Sequence, residues 1–402
     1  MARLFRYLIW LLAGGLILAA VAWWWSRPAT PGAFYLPPAD PLSRPGVLLR
    51  QQAFARGVPS DAQAWRILYT TTRPDGSAAV ASAIVMASRT ARSEARPVIA
   101  WAHGTTGVVA GCAPSLLDDP FANVPALRQL LDRGWLYVAT DYVGQGTPGP
   151  HPYLIGEGEA RSVLDAIRAL RQLEAAQASE DTVVWGHSQG GHAALWTGIV
   201  APSYAPEIQL LGIAAIAPAS DLRPLLDAVH ATPVGRIMSS YVVTSYAAAY
   251  PDVEHGAYIS GWKSWLARDI ADRCLAGHGA LFSVAEALLA GGSLFVQAPI
   301  GGTLGERLAQ NTPNRPLQQP LLIAQGLADD LVLPHVQTRF VGARCDAGQD
   351  LEYRTYSGRD HLSVVAADSP LTSELVQWTW DRFQNVPWSA NCHGADTQTY
   401  KD

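Results

Sequence analysis

What this chain lacks narrows its identity first. Only 16% of its 402 residues are charged, and the net charge is a mild −5. No basic stripe stands out, so nucleic acid is not expected as a partner. The four cysteines form no C-x-x-C pair, which removes the common zinc spacings and the thioredoxin-like motif. Neither G-x-x-x-x-G-K-[ST] nor H-E-x-x-H occurs, so the usual phosphate loop and the helical zinc pair are absent. No internal repeat and no long low-complexity tract interrupts the chain.

What is present is apolar. Hydrophobic residues make up 49% of the chain, enough to bury a large core and to exclude disorder. Fourteen Trp and fourteen Tyr suit core packing or an apolar binding cleft. Arg3 and Arg6 precede an uncharged apolar run from Tyr7 to Trp25. At about 1.5 Å per residue, a helix of this length could cross a bilayer core of about 30 Å. The positive charges stay on the cytoplasmic side, so the rest of the chain is expected to be exported. Two readings of the run stand side by side. Ala20-Val21-Ala22 fits a signal-peptide cleavage site, whereas Trp23, Trp24 and Trp25 fit the aromatic belt of an uncleaved anchor. Either places residues 33–402 outside the cytoplasm, periplasmic or extracellular. There Cys112, Cys274, Cys345 and Cys392 suit two disulfides, with the pairing open.

Residues 26–47 hold Pro28, Pro31, Pro37, Pro38, Pro41 and Pro45, and predict an extended arm or linker rather than a helix. Next, "AWRILYTTT" and "AAVASAIVMAS" flank Pro74-Asp75-Gly76, a hairpin signal. Short apolar runs then predict strands at 97–102, 135–142, 181–185, 210–218, 320–326 and 351–357. Helices are expected at 121–134, 159–176, 190–200, 335–343 and 369–384. In the second of these, Glu157 and Glu159 suit the helix dipole. Such alternation predicts a mostly parallel sheet covered by helices on both faces. It lapses from about 222 to 316, a stretch rich in Ala, Leu, Tyr and Trp that reads as several helices. The expected organisation is a signal peptide or anchor over 1–25 and an arm over 26–47. The first part of the core covers 48–221, a helical cap 222–316, and the second part of the core 317–402.

Gly186-His187-Ser188-Gln189-Gly190 matches G-x-S-x-G, with a strand before it and a helix after it. That context predicts an α/β-hydrolase fold in which Ser188 is a nucleophile on a tight strand-to-helix elbow. A serine hydroxyl is a weak nucleophile and needs a base held by an acid. In this fold they follow in the order acid, histidine, on loops after later strands. Asp329 lies three residues past Gly326, and His361 lies in Gly358-Arg359-Asp360-His361, after the next strand. Asp330 is a rival acid and His335 a rival base. His187 and His192 flank the serine, but the elbow turns His187 away and places His192 in the helix. Both are expected to be supports beneath the site. The segment "WAHGTTG" (101–107) also follows a strand, and predicts oxyanion donors at the backbone N–H groups of Thr105 and Gln189. Gly144-x-Gly146-x-x-Gly149 matches a dinucleotide fingerprint. Pro148, Pro150 and Pro152 leave no helix start for a pyrophosphate, so it is read as a rigid loop near the cleft. No cofactor and no metal are expected.

"AHGTTG" with Cys112 soon after, "TDYVGQGTPGPHPYL", "GHSQGGHAAL", "QGLADDLV" and "GRDHL" together resemble the secretory lipase family, the lipase-A-like α/β-hydrolases, from about residue 99 to 365. The resemblance implies carboxylic ester hydrolysis, often of acylglycerols, with Ser188, Asp329 and His361 at the triad positions. It also implies a helical lid over the insertion and disulfides Cys112–Cys274 and Cys345–Cys392. A small-molecule or lipid ester is the expected substrate, and the N-terminal run offers a route to membrane association. The same triad could serve a peptidase, an amidase or an acyltransferase. From a different class, the fold could be a catalytically silent binding module.

Overall fold

The computed structural model describes residues 2–39, 44–277 and 279–392. Pro41 of the arm and the last stretch of the second core part, 393–402, lie outside the described residues. Strands run over β1 (Leu48–Phe54), β2 (Ala62–Thr72), β3 (Ala78–Ser88), β4 (Arg96–Ala102), β5 (Leu136–Thr140), β6 (Ala178–His187), β7 (Leu210–Ile216), β8 (Leu321–Gly326) and β9 (Glu352–Tyr356). They form one sheet in the order β1-β2-β3-β5-β4-β6-β7-β8-β9. The expected hairpin is β2 and β3, antiparallel, with Thr72 opposite Ala78. β5, β4, β6, β7, β8 and β9 pair in parallel, each with its neighbour in the sheet. β1 is not legible in the alternation, because its residues are only half-buried or exposed.

The helices are α1 (Ala2–Trp25), α2 (Leu127–Asp132), α3 (Gly156–Arg171), α4 (Gln189–Tyr204), α5 (Leu222–Val229), α6 (Pro233–Ala249), α7 (His255–Tyr258), α8 (Gly261–Ala271), α9 (Gly279–Ala290), α10 (Gly302–Gln310), α11 (Pro334–Asp346) and α12 (Pro370–Phe383). Alternate strand residues face opposite sides of the sheet. Val98, Val184 and Ile213 pack with α3 and α4 on one side. Ile99, Trp185 and Ala214 pack with α2 and α12 on the other. Each such Val or Ile contributes about 1.5–3 kcal/mol by leaving water.

Two helices depart from expectation. The helix expected over 121–134 shrinks to α2. Pro125 has no N–H to donate, and Asn123 and Ala126 adopt positive φ of 61° and 55°, which a right-handed helix cannot continue. The helix expected over 159–176 runs as α3 and ends at Arg171. Residues 26–39 pack onto the core instead of hanging free. Tyr35 is buried with its hydroxyl on Ser115 Oγ at 2.7 Å, and Arg50 donates to the Phe34 carbonyl at 3.1 Å.

Helices α5–α10 stand between β7 and β8 and enclose an apolar cluster of their own around Tyr241, Tyr246, Ile259, Leu266 and Leu304. A Cys112–Cys274 disulfide joins this cap to the loop after β4, and Leu275 N–H donates to the Thr106 carbonyl at 2.8 Å. A second disulfide, Cys345–Cys392, ties α11 to the C-terminal segment. Beside it Asn391 covers the edge strand β9. Its N–H donates to the Leu351 carbonyl and its side-chain oxygen accepts from Tyr353 N–H at 2.7 Å. Covering an edge removes a template for unwanted strand pairing.

Candidate active site

Ser188 occupies the single residue between β6 and α4, at φ 59° and ψ −119°. A non-glycine residue rarely adopts such a conformation, and the surrounding contacts must hold it. Glycine on either side makes the turn feasible. A Cβ at Gly186 would come 2.0 Å from the Gly190 carbonyl oxygen, and one at Gly190 would come 1.8 Å from that of Ala102.

The parallel strands bring three distant residues together at their carboxyl ends. His361 Nε2 lies 2.9 Å from Ser188 Oγ, and His361 Nδ1 lies 2.8 Å from Asp329 Oδ2. The Asp329 carboxylate is firmly held. Asp329 Oδ1 accepts from the N–H groups of Leu331 and Val332, and Oδ2 also accepts from Gln325 Nε2. Asp330 is exposed and takes no part, and His335 is exposed at the start of α11. Neither rival reaches the serine.

The flanking histidines face away from Ser188 Oγ. His187 Nε2 donates to the His361 carbonyl at 2.8 Å, and the two rings lie 4.7 Å apart. Burial, together with the neighbouring His361, pushes the His187 pKa down to about 3, so the ring that fixes His361 is neutral. His192 sits in α4, where Nε2 donates to the Asn311 carbonyl at 2.8 Å and Nδ1 lies 2.9 Å from Glu159 Oε2. Glu159 also accepts from Gln189 Nε2 at 2.8 Å and from Leu154 N–H. Gln189 Nε2 in turn donates to His151 Nε2 at 3.0 Å. Burial, then the nearby His103, lowers His151 to about 3, which leaves that nitrogen free to accept.

This buried network is not legible in the linear sequence. Glu157 does lie on the surface, paired with Arg161, but Glu159 is fully buried under the elbow. Its side-chain partners Gln189 and His192 come from α4, and only the fold brings them near. The Gly144–Gly149 loop also proves to be a support. Gln145 Nε2 donates to Thr106 Oγ1 at 3.0 Å and to the Gly107 carbonyl at 2.7 Å, while α3 begins only at Gly156.

The loop after β4 lies against the elbow, since a Cβ at Gly104 would be 3.7 Å from Ser188 Cβ. Among the described residues, neither Thr105 N–H nor Gln189 N–H has a hydrogen-bond acceptor. Thr105 Oγ1 bonds the Tyr153 hydroxyl at 3.0 Å. Ser188 opens into an apolar hollow. Tyr153, Leu331 and Val332 line it from the core, and Leu222, Leu225, Leu226, Val229, Met238 and Val242 from the cap. Two other surface hollows, beside Arg354 and Glu374 and beside Leu210 and Trp388, contain none of these groups. Among the described residues, no group of three or more His, Cys, Asp or Glu is placed to hold a metal.

The profile of the secretory lipase family matches residues 122–391, about two-thirds of the chain. The chain belongs to that family. Accordingly it is a carboxylic ester hydrolase of the lipase/esterase type, and family, disulfides and N-terminal apolar helix together fit export. A secreted triacylglycerol lipase of Malassezia globosa is 25% identical over 354 residues, covering 82% of this chain and 75% of that protein. A protein named as a probable inactive lipase, from Mycobacterium tuberculosis, is 24% identical over 398 residues, covering 90% of this chain and 84% of that one. Among solved structures, Candida antarctica lipase A superimposes with a TM-score of 0.70 at 19% identity, over 90% of this chain and 88% of that chain. The rice cell wall degrading esterase LipA of Xanthomonas oryzae gives 0.66 at 20% identity, over 85% and 98%.

Proposed function

We propose that this chain hydrolyses lipid esters through a Ser188 acyl-enzyme, with His361 as base and acid and Asp329 as the group that holds it. His361 Nε2 takes the hydroxyl proton as Ser188 Oγ attacks the ester carbonyl carbon. The negative charge that develops on the carbonyl oxygen is met by the N–H groups of Thr105 and Gln189. Asp329 keeps the His361 Nδ1 proton in place and stabilises the imidazolium. His361 then protonates the leaving alcohol, the C–O bond breaks, and water releases the acid by the same route. The observation that carries this reading is the unbroken hydrogen-bond chain from Ser188 Oγ through His361 to Asp329, beside two N–H groups without acceptors. The apolar hollow favours an acyl chain over a peptide, and the name of the Malassezia relative supports acylglycerols as the substrate class.

A relative named as inactive makes a direct test necessary. Ser188→Ala is expected to lower kcat on p-nitrophenyl esters by roughly 10⁴–10⁶-fold while the melting curve stays intact. The wild-type chain should also react covalently with a fluorophosphonate and the variant should not. Full activity in the variant overturns the assignment.

A further inference from the structure

Helix α9 is built inside out. Leu281, Val284 and Leu288 recur at i, i+3 and i+7, with Leu289 beside them, and all four are exposed, Leu281 and Leu289 by 71% and 69%. The opposite, buried face carries the polar Ser283 and Glu286 beside the small Gly279, Ala287 and Ala290. A helix in water shows the reverse arrangement, polar side out. Alongside it, α8 exposes Trp262 and Trp265, which share a face with Asp269 at i, i+3 and i+7.

That same face of α8 holds the end of α1. Trp23 Nε1 donates to Asp269 Oδ2 at 3.3 Å, and Arg27 pairs with the same carboxylate at 3.7 Å. Arg273 donates to Asp269 at 2.8 Å and to Ser26 Oγ. Its guanidinium lies 5.3 Å from the Trp23 ring and 5.1 Å from the Phe282 ring of α9. One buried arginine therefore joins α1, α8 and α9. The segment Phe5–Trp25 is long and apolar enough to cross a membrane, and none of its described side chains is buried in the protein.

We infer that the α8–α9 face of the cap is a bilayer-docking surface, seated on the lipid from which α1 emerges. A helix spanning the bilayer must leave it near Trp23–Trp25, and the contacts to Asp269 and Arg273 hold the exposed leucines and tryptophans at that level. Tryptophan favours the headgroup region, and an apolar helix face lies about 5–10 Å into that boundary. The inside-out pattern of α9 is what such a medium selects. This surface does not depend on the catalytic reading.

The test uses the full chain in phosphatidylcholine–phosphatidylglycerol vesicles. All four native cysteines form disulfides, so an introduced cysteine is the free thiol. Leu288→Cys and, as a control, Val386→Cys at the opposite end of the sheet are each labelled with nitrobenzoxadiazole. The label at 288 should shift to shorter wavelength on vesicles and be quenched by doxyl lipids at least about twice as strongly as the label at 386, as for a probe within the headgroup boundary. Equal quenching at both sites overturns the inference, even when α1 holds the chain on the vesicle. A shift at 288 without lipid quenching, with 288–288 cross-links when the unlabelled Leu288→Cys variant is oxidised, would mean that a second copy covers the face, and overturns it as well. Thermal melting of each labelled protein establishes that it is folded, and no readout requires hydrolysis.

Discussion

At the carboxyl ends of β6, β8 and β9 polar side chains are buried, and they meet named partners: Asp329 with two backbone N–H groups and His361, Glu159 with His192 and Gln189. The cap above them is organised differently. It meets the serine with aliphatic side chains from α5 and α6 and turns leucines and tryptophans outward on α8 and α9. Directed hydrogen bonds have narrow geometric tolerance, and removing one partner leaves a buried group unsatisfied at a cost of about 1–3 kcal/mol. Apolar contact is non-directional and scales with area. The floor should therefore decide whether the reaction proceeds, and the cap which ester enters and where the enzyme sits.

The sharpest way to break this division is at the acid. Asp329→Asn keeps the shape but no longer holds His361 in the right tautomer, and a loss of about 10⁴-fold in kcat is expected. Asp330→Asn, one residue along but exposed, should leave kcat within about two-fold, as surface changes away from the site usually do. Steady-state kinetics on p-nitrophenyl butyrate measures both. The opposite result would move the acid to Asp330.

In the cap the expected effect is smaller and of another kind. Met238→Trp fills part of the apolar hollow with a rigid ring. It should reduce kcat/KM for p-nitrophenyl palmitate by roughly 10–100-fold relative to acetate, the scale on which a pocket discriminates a few methylenes. A panel of esters from acetate to palmitate reads the ratio directly. An equal loss at every chain length would show that the hollow is not where the acyl chain lies.

The two regions also differ in how far the sequence reveals them. Ser188 and His361 are legible because the elbow demands glycine on both sides and because the partners must stand at strand ends in a fixed order. The choice between Asp329 and Asp330 is not, since one residue step along a loop turns the carboxylate from His361 to solvent. Glu159 reads as a helix-dipole residue until α4 is packed against α3. The cap shows its composition in the sequence but hides its orientation, because apolar residues on an amphipathic helix ordinarily mark the inside. On α9 they mark the outside, and only burial reveals it. Pro125 is a helix breaker that the sequence itself carries, and the backbone around it forms a shorter helix than 121–134.

The same contrast extends to pH, with the smallest effects of all. In the floor, burial lowers His151 and His187 to about 3 and His103 to about 4, below the ordinary value of 6.5. Between those limits the unfolded chain binds more protons than the folded one. The stability they contribute is full above about pH 6.5 and is lost as pH falls, by at most about 1.4 kcal/mol per pH unit for each ring. In the cap the sign reverses. Burial, and then the neighbouring Asp269 carboxyl, raise Glu286 from 4.5 to about 8. Here the folded chain holds the extra proton, so its contribution is full below about pH 4.5 and is lost as pH rises through 8. Melting temperatures recorded from pH 4 to 9 should separate the two. Glu286→Gln should flatten the alkaline decline without changing the acid limb, and His151→Gln should flatten part of the acid limb without changing the alkaline one. If Glu286→Gln left the alkaline slope as steep as in the wild type, the buried face of α9 would not carry a proton.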